Sequence, residues 1–334
     1  MSRESSSPWA DLHYQTCSVL PVRMACNCAC KFCFSRSSIS ALTRERVGWG
    51  SLDVDAYYRY AISRGAKRLV ITGGGEPLLR PDDVVMLVDR GRRHFDEIAL
   101  FTNGTHLTKQ LAARLRRAGL SYLCWSRHHV SDEANAQLMG PSAPTRDSFF
   151  AQVGTLPVRA TCVMARGHIE HDEDVWRYID TLVEHGVREF TFKHTYVAYP
   201  NSVFRGSLAD RWSRAHQLER DPFEHVGTIV DTLPWGPAIR RVVRRGQDCQ
   251  ICHYREPTPQ WELQNKIGRS LNLLSDGTVY GSLEDARSLL FRLSSSSPPL
   301  APSKSSRFDP CFPSVTEPEP KPIAKRLPKS MIDH

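Results

Sequence analysis

The stretch Cys26-Asn27-Cys28-Ala29-Cys30-Lys31-Phe32-Cys33-Phe34 decides the reading of this chain. Four of the ten cysteines fall within it. Three of them, Cys26, Cys30 and Cys33, have the spacing C-x3-C-x2-C, and an aromatic residue follows the last. A helix would point such cysteines away from one another, whereas a loop can wrap three thiolates around one centre. Thiolates suit soft iron–sulfur centres, and three of them on a cubane of four irons leave the fourth iron open to a substrate or cofactor. A zinc knuckle or a disulfide knot is the competing reading. Zinc asks for a fourth ligand at close range, as a paired C-x2-C or an H-x3-H, and none follows nearby.

Outward from this loop, strand and helix signals alternate. Residues 11–24 read as a first strand leading into the cysteines, and 53–63 as a helix. The β-branched and apolar run Arg68 to Thr72 is a strand stopped by Gly73-Gly74-Gly75-Glu76-Pro77. Pro81 opens a helix with Asp82 and Asp83 at its positive end. Strands at 97–101, 121–125, 158–164 and 189–196 are separated by helices at 109–118, 132–139, around 148, and 172–184. Six such units imply parallel βαβ connections. About 190 residues are too few for a full eight-fold barrel of about 250. The expected fold is therefore α/β, a partial (β/α)6 TIM-like barrel over 13–200. It is preceded by a disordered N-terminus (1–12) and followed by an irregular, partly helical cap or extension (201–293). In it, Asp276-Gly277 is a good hairpin turn between strands at 270–274 and 278–280. From 294 to 334 the composition turns to Ser, Pro and Lys, the signature of a disordered tail.

The composition is that of a soluble globular enzyme, with 40% hydrophobic and 24% charged residues. No apolar run is long enough for a membrane span, and the Ser-rich start lacks the apolar segment of an export signal. Cysteines in a chain read as cytoplasmic are metal ligands more often than disulfides. The net charge of +8 invites a nucleic-acid reading. Its best patch, Arg240, Arg241, Arg244 and Arg245, has no interleaved aromatic residues on which bases would stack.

With the cysteine loop and Gly74-Gly75-Glu76-Pro77 closing the next strand, residues 14–200 resemble the radical S-adenosylmethionine (SAM) superfamily. The resemblance implies a 4Fe-4S cluster on Cys26, Cys30 and Cys33, with Cys28 a spare thiol. It implies SAM on the open iron, its amino group held by the backbone of Gly74, Gly75, Glu76 and Pro77, and Asn103 and Ser126 near its ribose or carboxylate. It also implies an electron donor such as flavodoxin or ferredoxin. Turn capping is the plain alternative for Asn103 and Ser126. Arg127 and Arg166 are candidate carboxylate clamps. His128 and His129, like Lys193 and His194, are adjacent pairs of which one member can face a site as an acid or base. Cys249, Cys252 and His253 make up no complete metal set: the cysteine expected after the hairpin is replaced by Gly281-Ser282, and Cys311 lies in the tail.

The length, the C-N-C-A-C-K-F-C-F loop and the S-R-H-H strand end most resemble the radical SAM decarboxylases of peptidyl-nucleoside antibiotic biosynthesis, lyases acting on cytosylglucuronic acid. The substrate so implied is a small polar molecule whose carboxylate Arg127, Arg166 or Lys193 would hold, with His128 as acid or base. Three alternatives stay open: a radical SAM dehydrogenase or epimerase using Cys249 or Cys252, a peptide-modifying enzyme, and a zinc-dependent nucleic-acid-binding module.

Overall fold

One twelve-stranded sheet carries the chain in the computed structural model, which describes residues 7–41, 48–200, 202–218 and 220–293. The first six strands follow the predicted rhythm. They are β1 (His13–Leu20), α1 (Val54–Ser63), β2 (Arg68–Ile71), α2 (Pro81–Gly91), β3 (Ile98–Thr102), α3 (Lys109–Ala118), β4 (Tyr122–Ser126), α4 (Asp132–Met139), α5 (Arg146–Val153), β5 (Val158–Met164), α6 (Asp172–Val183) and β6 (Glu189–His194). The remainder is α7 (Leu208–Ala215), β7 (Thr228–Thr232), β8 (Ala238–Arg244), β9 (Gln247–Tyr254), α8 (Pro259–Asn265), β10 (Ile267–Leu274), β11 (Thr278–Tyr280) and β12 (Leu289–Arg292).

Local chemistry sets the helix starts. Asp53, Thr108, Ser131 and Thr145 each accept a hydrogen bond from a first-turn backbone N–H, satisfying a donor that the helix itself leaves free. Gly119 ends α3 at φ 109°, a conformation that costs a glycine nothing. The Asp276-Gly277 turn joins β10 to β11 as an antiparallel hairpin, with Gly277 at φ 83° and Thr278 N–H donating to Asp276 Oδ1.

The strand order is β12-β11-β10-β1-β2-β3-β4-β5-β6-β9-β8-β7. From β10 to β9 every pairing is parallel. Antiparallel ladders β11–β12 and β8–β7 flank this block. The sheet is curved but open: β9 and β10 are not hydrogen-bonded to each other. Side chains of α1, α2, α3, α5 and α6 bury against one face in a single apolar cluster that includes Tyr57, Val84, Leu115, Phe149 and Tyr178, whereas Leu138 and Met139 of α4 pack on Cys28 and Phe32 of the cysteine loop.

The α/β class and the partial barrel are thus as expected, but the extension is not irregular. It supplies β9 and β10, which lengthen the parallel block at both ends, and the β7–β8 ladder. β9 pairs with β6 and β10 with β1, partners far away in sequence, so the strand read at 270–274 gives no local sign of its place in the parallel block. At the other end, Pro8–Asp11 form a short 3-10 turn inside the stretch expected to be disordered. Trp9 is buried, and Tyr14 Oη donates to its carbonyl at 2.6 Å. The expected disorder of residues 1–6 and of the 294–334 tail lies outside the described residues. Among the described residues, no helix is long and apolar enough to cross a membrane. Arg240, Arg244 and Arg245 are engaged by the carbonyls of Glu224 and Val226, by Asp180 and by Glu184, so they do not form a free basic patch.

Candidate functional site

The cysteine loop follows β1, and the glycine turn follows β2, at the same carboxyl edge of the sheet. The two are interlocked through backbone. Glu76 N–H donates to Ala25 O at 2.8 Å. A Cβ added to Gly75 would stand 1.8 Å from Ala25 O, and one added to Gly74 would stand 2.6 Å from Val22 O. Only glycine allows this approach. The Glu76 side chain is committed elsewhere: its buried carboxylate accepts from Thr102 Oγ1 (2.6 Å), Asn103 N (2.8 Å) and Leu78 N (3.0 Å). Burial pushes it up to about 7. Glu76 therefore ties the end of β2 to the end of β3, and the turn's own surface is backbone. Pro77 is buried and starts the next 3-10 turn.

Asn103 is fastened to the loop as well. Its Nδ2 donates to Asn27 Oδ1 at 2.9 Å and to Cys28 Sγ at 3.3 Å, and lies 3.8 Å from Cys26 Sγ. Ser126 ends β4, half-buried. Cys26 is exposed, and the Cys28 hydrogen bond leads the effects that lower its thiol to about 6. Cys30 and Cys33 are pushed up by burial, with the charges of the neighbouring thiols adding to it. Three thiols on one loop, close enough to shift one another, fit an iron–sulfur cluster. Among the described residues no three His, Cys, Asp or Glu side chains converge as ligands of a single metal ion do. The thiolates of a cubane bind different irons and need not converge in that way.

The interior behind this edge is defined by contacts between distant strands. Phe32 of the loop meets the His128 ring edge-on, with centroids 4.7 Å apart. His128 Nδ1 accepts from Val163 N–H of β5 at 3.0 Å, so in the neutral ring the proton sits on Nε2. Burial, with Lys193 and Arg127 adding to it, holds His128 at about 3. Lys193 Nζ of β6 lies 5.8 Å from the Phe101 ring of β3 and 4.8 Å from the Tyr254 ring of β9. Strands three places apart can share such a contact only across the concave side. Its nearest anion is Glu256 Oε1, at 3.6 Å.

Two predicted clamps are elsewhere. Arg127 is fully buried on the helix side of β4, its guanidinium over the Trp125 ring at 5.3 Å and 2.7 Å from Asp132 of α4. Strand alternation explains the correction: His128 takes the inner side, so Arg127 takes the outer. Arg166 is exposed on the loop after β5, where it reaches Gln217 O at 3.4 Å. The same alternation separates the C-terminal cysteines. Cys249 is buried beside Asp180 and Arg244, whereas Cys252 senses Lys193, Arg159 and Arg68 of the interior.

Sequence reading missed a charged group made by Glu256 just beyond β9, Arg269 near the start of β10 and Glu284 beyond β11. Arg269 NH1 binds Glu256 Oε2, its NH2 lies 3.3 Å from Glu284 Oε1, and its backbone N–H donates to Glu262 Oε1 at 2.6 Å. Tyr254 Oη donates to Glu256 at 2.8 Å. Glu256 is held low by Arg269 and Lys193, against the opposing effect of burial. The signal available was a glutamate just beyond β9 and another beyond β11, legible only once β9 and β10 are recognised as members of the parallel block.

Comparison with known proteins agrees with this layout. The family model described as the radical SAM superfamily matches residues 21–202. A relative named "Probable GTP 3',8-cyclase" in Saccharolobus solfataricus is 28% identical over 228 residues, covering 66% of this chain and 65% of its own. A GTP 3',8-cyclase of Aquifex aeolicus is 29% identical over 126 residues, 37% of this chain and 38% of its own. The chain thus spans just under two thirds of the longer-matching relative. Streptococcus suis SuiB bound to S-adenosylmethionine superimposes with a TM-score of 0.55 at 15% identity, over 81% of this chain and 61% of that one, a likeness of fold.

Proposed function

The chain belongs to the radical SAM superfamily, and on that premise we propose that it removes a carboxyl group from a small polar substrate, with a nucleoside-linked glucuronic acid as the best candidate. Members of the family use a 4Fe-4S cluster and SAM. In this reading Cys26, Cys30 and Cys33 hold the cluster, and the Gly74–Gly75 backbone, with Asn103 and Ser126 nearby, holds SAM. Bound there, the pair would supply reductive sulfonium cleavage and hydrogen-atom abstraction. A flavodoxin- or ferredoxin-like donor delivers the electron.

The observation that carries the proposal is Lys193. It projects into the interior on two aromatic faces, with only a 3.6 Å approach to Glu256. Among the described residues its ammonium makes no hydrogen bond, so its donors are available to a substrate carboxylate. Fixing that carboxylate next to the carbon that loses hydrogen prepares the loss of carbon dioxide, after which the same electron donor supplies one further electron and solvent two protons to complete the product. The Nε2–H of His128 is the neighbouring neutral donor.

Anaerobically reconstituted protein with SAM, a reductant and cytosylglucuronate is expected to yield 5′-deoxyadenosine and a product lighter by carbon dioxide. Lys193→Met is expected to lower product formation about 100-fold, the loss of a charge-assisted contact, while SAM cleavage without product continues. Equal product from Lys193→Met and the parent would sink the assignment. Ring closure on a nucleotide is the second reading, favoured by the names of the curated relatives. GTP in the same assay separates the two.

A further inference from the structure

A cavity of about 350 Å³ opens where the segments leaving β6 and β9 meet the one that follows β11. Tyr196, Tyr199, Gln217, Glu256, Thr258 and Glu284 are in its wall. Arg269 is not. It grips Glu256 and Glu284 from behind, so a ligand entering the cavity meets two fixed carboxyl groups, while the cation in the wall itself, Arg255, donates from Nε to His194 Nε2 at 2.8 Å. Tyr196 makes the second, independent observation. Its Oη is buried and has no hydrogen-bond partner, a state that costs about 1–3 kcal/mol until something satisfies it. Its ring stands edge-on to Phe34, centroids 4.7 Å apart, and Phe34 directly follows Cys33. The cavity therefore adjoins the cysteine loop.

We infer that this cavity binds a ring carrying neighbouring hydroxyl groups, the sugar part of either the substrate or SAM. An anion would face the two carboxyl groups, and a cation would compete with Arg269 and Lys193 for them. An uncharged ring with several O–H groups meets acceptors at Glu256 and Glu284, an amide at Gln217, hydroxyls at Tyr196 and Thr258, and flat aromatic walls. The protonation states help. Burial raises Glu284 to about 8, so near neutral pH it both donates and accepts. Glu256, held low by Arg269 and Lys193 despite its burial, only accepts. The inference rests on the reading of the chain as a radical SAM enzyme acting on a small polar substrate.

The test measures dissociation constants of D-glucuronate and of SAM by anaerobic calorimetry, on the reconstituted full chain and its Tyr196→Phe and Glu284→Gln variants. Tyr196→Phe is expected to weaken one of the two ligands about 10-fold and to leave Tm unchanged or raised, because the lost hydroxyl has no partner in the free protein. Glu284→Gln is expected to weaken the same ligand. Weaker D-glucuronate binding assigns the cavity to the substrate sugar, and weaker SAM binding assigns it to the cofactor ribose. Both outcomes support a hydroxyl-recognising site. Unchanged constants for both ligands in Tyr196→Phe, with or without a fall in Tm, would overturn it. Absent turnover on glucuronate substrates counts against the decarboxylase reading and leaves these constants standing, whereas unchanged constants with intact turnover remove only the cavity assignment.

Discussion

The two ends of the parallel block are built on opposite principles. At β1 and β2 the working surface is backbone, made by the loops that leave two successive strands. Glycines let one loop lie against the other, and the one buried carboxylate, Glu76, fastens strand ends together. Between β9 and β10 the sheet is open, and side chains do what hydrogen-bonded strands do elsewhere. Arg269 on β10 binds Glu256 beyond β9, and Glu284 beyond β11 completes the group. The first arrangement tolerates no added atom. The second tolerates atoms but no lost charge. A motif-bearing region fails by steric exclusion, and a motif-free one fails by electrostatics.

The largest expected effect is at the first end. Gly75→Ala places a Cβ 1.8 Å from Ala25 O, a backbone atom that cannot swing aside. Iron incorporation and SAM cleavage are expected to fall to the level of Cys30→Ala, read by iron analysis and visible absorption. Normal iron content in Gly75→Ala would break the contrast. Next is the seam. Arg269→Ala leaves Glu256 beside Lys193 alone and strips Glu284 of its partner. Removing one member of such a buried group costs about 3 kcal/mol, seen as a lowered Tm, while iron content stays at the parental value. Loss of iron in Arg269→Ala would show that the two ends are one structural unit.

The smallest effect is in pH. His128, at the cysteine end, has its folded value depressed from 6.5 to about 3. The stability it contributes is present above pH 6.5 and is lost as pH falls toward 3. Glu284, at the seam, has its folded value raised from 4.5 to about 8. Its contribution is complete below 4.5 and is lost as pH rises through 8. Tm is expected to fall on both sides of a plateau. Glu284→Gln, which does not titrate, is expected to make the alkaline limb shallower, the part due to Glu76 remaining, and to spare the acid one. An alkaline limb that Glu284→Gln leaves as steep would remove the seam carboxyl as its source.

Much of the first end was legible because its determinants are local. The C-x3-C-x2-C spacing, the glycine run after an apolar strand and the six-fold strand–helix rhythm all lie within short windows, and the family match over 21–202 agrees with them. Single-residue roles were legible only in part. S-R-H-H offers four side chains at a strand end, and nothing in the tetrapeptide says which face inward. The pleat gives His128 to the interior and Arg127 to the helix layer. Arg166 had the right chemistry for a clamp, but it sits on a loop exposed to solvent.

The sequence by itself determined the cysteine loop, the glycine turn beside it and the α/β order of 13–200, because each rests on spacing between near neighbours. Tertiary structure alone decided that β9 and β10 join the parallel block and that Lys193 points across it toward Phe101 and Tyr254. It also decided that Glu256, Arg269, Glu284 and Tyr196 stand together. β9 and β10 are placed by parallel pairings with β6 and β1, strands distant in the chain, and such pairings leave no period or spacing in the sequence to read.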